Sequence, residues 1–153
     1  MDKKVAIVTG ASSGIGLALT KHLLTQKWRV VMADTNASVG APLAKEFGED
    51  ALFIQTDVSV YSQQASLFSQ AFAWGGKRLD FLAANAGIDD KQSLYSTDEE
   101  LDENGLLKEM NMITLKVDLD AVIQGIWLFK YYARQNIGNK GGKVVITSSA
   151  AGL

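Results

Sequence analysis

Apolar residues fall into five short runs along the chain, separated by segments in which they recur every three or four positions. The runs are Val5-Ala6-Ile7-Val8, Arg29 to Ala33, Ala51 to Gln55, Leu79 to Ala84 and Lys143 to Thr147. The most apolar of them are continuous rather than alternating, as in strands of a parallel sheet covered on both faces. Between them, Gly14 to Gln26 reads as an amphipathic helix with Ile15, Ala18, Leu19, His22 and Leu23 on its inward stripe. Ser38 to Phe47 reads as a second, capped by Gly48, with Pro42 tolerated only in the first turn. Tyr61 to Trp74 carries Ala65, Leu67, Phe68, Ala71 and Phe72 near helical spacing and stops at Gly75-Gly76. A long helix from about Met110 to Gln135 holds Ile113, Val117, Ala121, Val122, Ile126, Trp127 and Phe129, more apolar surface than one sheet face requires. Strands alternating with helices predict an α/β domain built on a parallel sheet.

Two stretches interrupt this rhythm. Ile88 to Asn111 is irregular and acidic, through Asp98, Glu99, Glu100, Asp102 and Glu103, and reads as a solvated loop with a short helix. Loops at this end of a sheet border the site, so a share in substrate binding stays open. Gly138 to Gly142 reads as a turn, Tyr131-Tyr132 as packing, and His22 as a core or boundary histidine.

At 153 residues the chain makes one domain able to bury its own core. Its 47% hydrophobic and 21% charged residues exclude disorder and coiled coil. A net charge of −2 provides no basic surface, so neither nucleic acid nor an anionic membrane is expected as partner. No apolar run reaches the ~18 residues of a membrane span. Met1-Asp2-Lys3-Lys4 precedes a run too short for a signal peptide, and a cytoplasmic protein is expected. With no Cys and one His, disulfides, thiolate chemistry and a transition-metal site have no basis, leaving hydroxyls, carboxylates, amines or a cofactor.

The chemistry concentrates in Val5-Ala6-Ile7-Val8-Thr9-Gly10-Ala11-Ser12-Ser13-Gly14-Ile15-Gly16, a strand running through a glycine-rich turn into a helix. Gly10 allows a sharp turn, Gly14 a close approach of backbone to ligand, and Gly16 tight packing of helix on strand. The helix start offers unpaired N–H groups and a positive dipole end, which suit a pyrophosphate. A P-loop would need Lys where Leu17 stands.

Thr9 to Gly16 resembles the TGxxxGIG cofactor loop of the short-chain dehydrogenase/reductase family. The resemblance implies a Rossmann-like doubly wound sheet of strand order 3-2-1-4-5 over residues 1–153, truncated after the fifth strand. It also implies a dinucleotide bound by Gly10, Ser12, Ser13, Gly14, Ile15 and Gly16. Asp34 ends the second strand 18 positions after Gly16, about where such folds place the acid that binds the adenosine ribose. A carboxylate there accepts hydrogen bonds from the 2′- and 3′-hydroxyls of NAD and repels the 2′-phosphate of NADP. No Arg or Lys in 11–13 or 35–38 reverses that preference. A solvated strand-end Asp or a cap of the next helix is the alternative.

Further motifs agree with this resemblance. Thr56-Asp57-Val58 is similar to the family's Asp and apolar residue at the adenine edge, although Asp57 alone reads equally as a helix cap. Asn85-Ala86-Gly87 resembles the family's NNAG strand end, with Ala84 for the first Asn, and Asn85 can bridge neighbouring strands through its amide. In the long helix Asp118 stands where the family has an Asn whose bent backbone holds a proton-relay water; an Asp mimics the shape but adds a charge. Ser148-Ser149-Ala150-Ala151-Gly152 resembles the strand end carrying the catalytic Ser, which aligns with Ser149. The helix over 110–135 is equivalent to one that often forms the family's dimer interface, so a homo-oligomer is expected.

The family moves the substrate hydroxyl proton with a Tyr-x-x-x-Lys pair that follows this Ser. Here the sequence ends at Leu153, and its tyrosines at 61, 95, 131 and 132 are followed four positions on by Ala65, Glu99, Gln135 and Asn136. Two expectations result. One is the N-terminal portion of an NAD-dependent oxidoreductase interconverting a small secondary alcohol and ketone, most similar from Phe53 to Gly152 to the hydroxyprostaglandin dehydrogenase branch. The other is a non-catalytic dinucleotide-binding or interaction module. The first is favoured because a sheet ending at Val144 to Thr147 leaves an apolar edge that invites association.

Overall fold

Five parallel strands form the centre: β1 (Val5–Thr9), β2 (Arg29–Asp34), β3 (Ala51–Gln55), β4 (Phe81–Ala84) and β5 (Lys143–Ile146). They lie in the order β3-β2-β1-β4-β5, the doubly wound order expected. The structure, a computed structural model, describes residues 3–95, 97, 99–136, 138 and 141–149. Met1, Asp2, Asp98, part of the turn read at Gly138 to Gly142, and the strand-end residues Ala150 to Leu153 lie outside them.

The continuous apolar runs are explained by a sheet covered on both faces. From β1 and β2, Val5, Ile7, Val31 and Ala33 face a core with Leu67, Phe68 and Ala71 of α3 (Tyr61–Trp74) and Leu128 and Phe129 of α5 (Ala121–Ala133). Alternate residues Ala6, Val8, Val30 and Met32 face the other layer, where Leu23 of α1 (Gly14–Thr25) and Ala44 of α2 (Ala37–Phe47) pack. Each large side chain fully buried here, Phe68 or Ile7 for example, contributes about 1.5–3 kcal/mol. Among the described residues no helix is long and apolar enough to cross a membrane.

Several boundaries and faces differ from the sequence expectation, each for a local reason. In α1 the buried positions are Gly16, Thr20 and Leu23, while Ile15 and His22 are exposed. Gly16 presses on β1 and sets the rotation of the helix, so His22 is not a core histidine. Pro42 falls in the second turn of α2, because Asn36 caps that helix by accepting from the Val39 N–H at 3.3 Å. The bond Pro42 cannot donate would have gone to the carbonyl of exposed Ser38, where water can replace it. No helix forms among the described residues of 88–112. Leu101 and Leu107 instead make an antiparallel bridge closed by Asp102, whose carboxylate accepts from the N–H groups of Asn104 and Leu106. Those two backbone donors hold the Asp102 carboxyl below its ordinary pKa, and the Lys108 ammonium, 2.7 Å away, does the same for Glu100.

The long helix begins at Ile113, whose N–H donates to Asn111 Oδ1 at 3.0 Å, and ends at Ala133. It comprises α4 (Ile113–Leu115), a π-helical turn at Lys116–Asp120, and α5. β4 begins two residues later than expected because buried Leu79 is engaged elsewhere. Asn136, itself buried, accepts from the Leu79 N–H at 2.8 Å and donates to the Leu79 carbonyl at 2.8 Å and the Gly141 carbonyl at 3.0 Å. One side chain thus serves as the missing strand partner. Asn136→Ala strands both polar groups of a buried residue, at about 1–3 kcal/mol for each. Thermal unfolding followed by circular dichroism should show the melting temperature of Asn136→Ala lowered by roughly 4–24 °C, against no measurable change for Asn104→Ala on the exposed loop.

Candidate functional site

Where β1 passes to β2 on one side and β4 on the other, the strand order reverses and the carboxyl ends splay into a crevice. One hydrogen-bond cluster fixes its floor. Thr9 Oγ1 accepts from the N–H groups of Asn85 and Ala86, both at 3.0 Å. Asn85 Nδ2 donates to the Thr9 carbonyl at 3.0 Å, and Thr147 Oγ1 donates to Asn85 Oδ1 at 3.0 Å. Asn85 therefore bridges β1 and β5 from its place at the end of β4, as its amide allows. Gly10, at φ +65°, turns the chain away from this cluster. A Cβ at Gly16 would overlap the Gly10 carbonyl and lie 2.7 Å from Asn85 Nδ2, so only glycine lets α1 start here.

The first turn of α1 opens onto a cleft of about 550 Å³. Ser13, Gly14 and Ile15 line it, and no acidic residue stands in that turn to neutralise the helix dipole. Asp34 lines the cleft half-buried, its Oδ2 accepting from the Ser12 N–H and its Oδ1 from the Asn36 N–H, both at 2.9 Å. Each oxygen keeps acceptor capacity for a further donor. Asp34 is not the cap of α2, which is Asn36. Asp57 and Val58 stand on the same side; Asp57 Oδ1 accepts from Ser59 N–H and Oγ, while the residue capping α3 is Val60. Across the cleft, Asn85, Ala86 and Gly87 form the opposite wall.

Ten of the twelve expected cofactor positions thus line one cavity. Ser12 and Gly16 do not. Ser12 supplies its N–H to Asp34 while its hydroxyl faces Gly40, and Gly16 acts through packing. Thr35, Thr56, Ile88, Val117 and Thr147 also line the cleft and were not singled out from the sequence. Thr35, Thr56 and Thr147 shared one legible signal, a hydroxyl directly after a strand.

Asp118 sits in the π turn, where its Oδ1 accepts from the Ile88 N–H at 3.0 Å. Ser149 is exposed, three residues past β5, and outside the lining of the cleft, so Asp118 and Ser149 are not joined with the cofactor positions in one cavity. No group of three or more His, Cys, Asp or Glu able to hold a metal occurs among the described residues.

Comparison with known proteins agrees with this geometry. The family model for short chain dehydrogenase matches residues 4–153. The short-chain dehydrogenase/reductase ascJ of Acremonium egyptiacum is 41% identical over 154 aligned residues, covering 100% of this chain and 50% of the relative. The 15-hydroxyprostaglandin dehydrogenase (NAD+) of Rattus norvegicus is 35% identical, covering 100% of this chain and 53% of its own length. A crystal structure of a short-chain dehydrogenase/reductase from Burkholderia phymatum in complex with NAD superposes with a TM-score of 0.80 at 27% identity, over 99% of this chain and 50% of that one. The chain spans about half the length of the curated relatives it matches. The glycine loop, the strand order and these matches together make the chain a member of the short-chain dehydrogenase family.

Proposed function

We propose that the cleft binds NAD(H) and that the chain serves an oxidoreductase interconverting a small secondary alcohol and its ketone. The observation that carries this reading is the uncompensated N-terminus of α1 facing the same cleft as the Asp34 carboxylate. The N–H groups following Ser13 receive the diphosphate, and Gly14 leaves it room. Asp34 accepts from the adenosine ribose hydroxyls with the acceptor capacity left to it, and its charge repels a 2′-phosphate. Asp57 and Val58 border the adenine. Asn85, Ala86 and Gly87 border the far ribose, where small residues leave the strand end open.

When bound, the nicotinamide supplies the redox chemistry. Ser149 is assigned to orient the substrate oxygen and Asp118 to hold the backbone at Ile88. Nucleotide binding is the part of this activity that the residues lining the cleft support.

Homo-oligomerisation through residues 110–135 is supported by an exposed apolar stripe at fourfold spacing: Leu115, Leu119, Ile123, Trp127 and Tyr131, each at least half exposed. A second copy packing helix against helix covers such a stripe. Sedimentation velocity should show a dimer or higher species that Trp127→Glu shifts to monomer. An unchanged distribution removes this helix from the interface.

Fluorescence titration tests the cofactor reading. NADH should bind at least tenfold more tightly than NADPH. Asp34→Ala should weaken NADH by roughly 10- to 100-fold, the worth of hydrogen bonds to a charged acceptor, and abolish the preference. Retained discrimination in Asp34→Ala would falsify the role given to Asp34.

A further inference from the structure

The charge at Asp118 has a consequence for the cleft that goes beyond holding backbone. We propose that Asp118 makes the site favour the oxidised over the reduced nicotinamide nucleotide, an inference that rests on the cofactor reading above. Asp34 and Asp57 mark the adenosine end at the tips of β2 and β3, so a dinucleotide spanning the switch point puts its nicotinamide end at Gly87 and Ile88, past β4. Asp118 is in contact with that wall. Its Oδ1 accepts from the Ile88 N–H at 3.0 Å and lies 3.4 Å from where a Cβ on Gly87 would be. Val117, the residue before it, lines the cleft itself.

The oxidised ring is a cation and the reduced ring is neutral, whereas both forms share the same diphosphate and riboses. A fixed negative charge behind the nicotinamide end therefore acts on the difference between them. A ligand can respond only to such a differential interaction. The charged residues nearest in sequence to this contact are Lys116 and Asp120 on the same turn, and Asp89, Asp90 and Lys91 along the loop after Ile88. Among the described residues no cation is paired with Asp118. Asp118 is exposed, so the effect is moderated by solvent, but its contacts with Gly87 and Ile88 keep it well within the ~8 Å screening length of the wall they form at physiological salt. An Asn, the residue the family pattern has at this place, would make the same bond to Ile88 without the charge.

The test is the ratio of dissociation constants, NADH by its fluorescence and NAD+ by competition against it, for the wild-type chain and Asp118→Asn. Asp118→Asn keeps an acceptor for the Ile88 N–H, so NADH affinity should stay within about twofold while NAD+ weakens about three- to tenfold. Raising the salt to about 1 M, where the screening length is ~3 Å, should move the wild-type ratio toward that of Asp118→Asn. An unchanged ratio in Asp118→Asn with NADH binding intact overturns the proposal. If Asp118→Asn no longer binds NADH, the salt series on the wild-type chain decides: a ratio indifferent to salt overturns it. Failure of the wild-type chain to bind either nucleotide is a different result, and refutes the cofactor reading itself.

Discussion

The close approach of α1 to the ends of β1 and β4 is the constraint from which the rest of the cleft follows. It exists because position 16 has no side chain: any Cβ there would run into the Gly10 carbonyl and crowd the Asn85 amide. That amide is already committed, donating to Thr9 and accepting from Thr147, so the helix cannot gain room by displacing it. Three strands and one helix start are thereby locked to a single group of atoms. Thr9, the buried member of this group, holds the Asn85 and Ala86 N–H groups, and leaving a buried polar group unpaired costs more than the roughly 1 kcal/mol that a made bond contributes. With the helix start fixed, its open N–H groups face the crevice without further adjustment.

The two ends of the cleft are held by carboxylates that bond to backbone rather than to other side chains. Asp34 gathers the Ser12 and Asn36 N–H groups, tying the glycine loop to the end of β2. Asp118 takes the Ile88 N–H and ties the segment after β4 to the long helix. The π turn at Lys116–Asp120 carries Asp118, and π turns recur at functional sites because they reset the phase of a helix locally. Both acids thus make an architectural bond, Asp34 while lining the cleft itself and Asp118 on residues that line it.

Most of the fold was legible because its strands are short, apolar and bounded by glycine or polar residues, as a two-layer covering of a parallel sheet demands. Ala51–Gln55 and Tyr61–Trp74 fall on the expected residues. Two of the failures are places where a side chain overrides a local pattern. Asn136 captures Leu79 and delays β4. Asp102 draws a hairpin from a stretch that reads as a loop with a helix. In α1 the helical period was plain, but its phase was not, since Gly16 carries no hydrophobic signal and yet defines the buried face. That ten of the twelve residues expected at a cofactor would line one cleft was legible through spacing and resemblance. Val117 and Ile88 were not, because they reach the cleft only through the π turn and the strand-end wall.

One cleft, between the start of α1 and the ends of β2, β3 and β4, is assigned the dinucleotide. Backbone amide chemical shifts of the isotope-labelled chain, recorded as NADH is added, check that assignment residue by residue. The account predicts saturable shifts concentrated at Gly14, Ile15, Asp57, Asn85 and Gly87, with the Leu101 to Leu107 hairpin unmoved. Saturable shifts confined to other surfaces, or none at these five amides at saturating NADH, would contradict it.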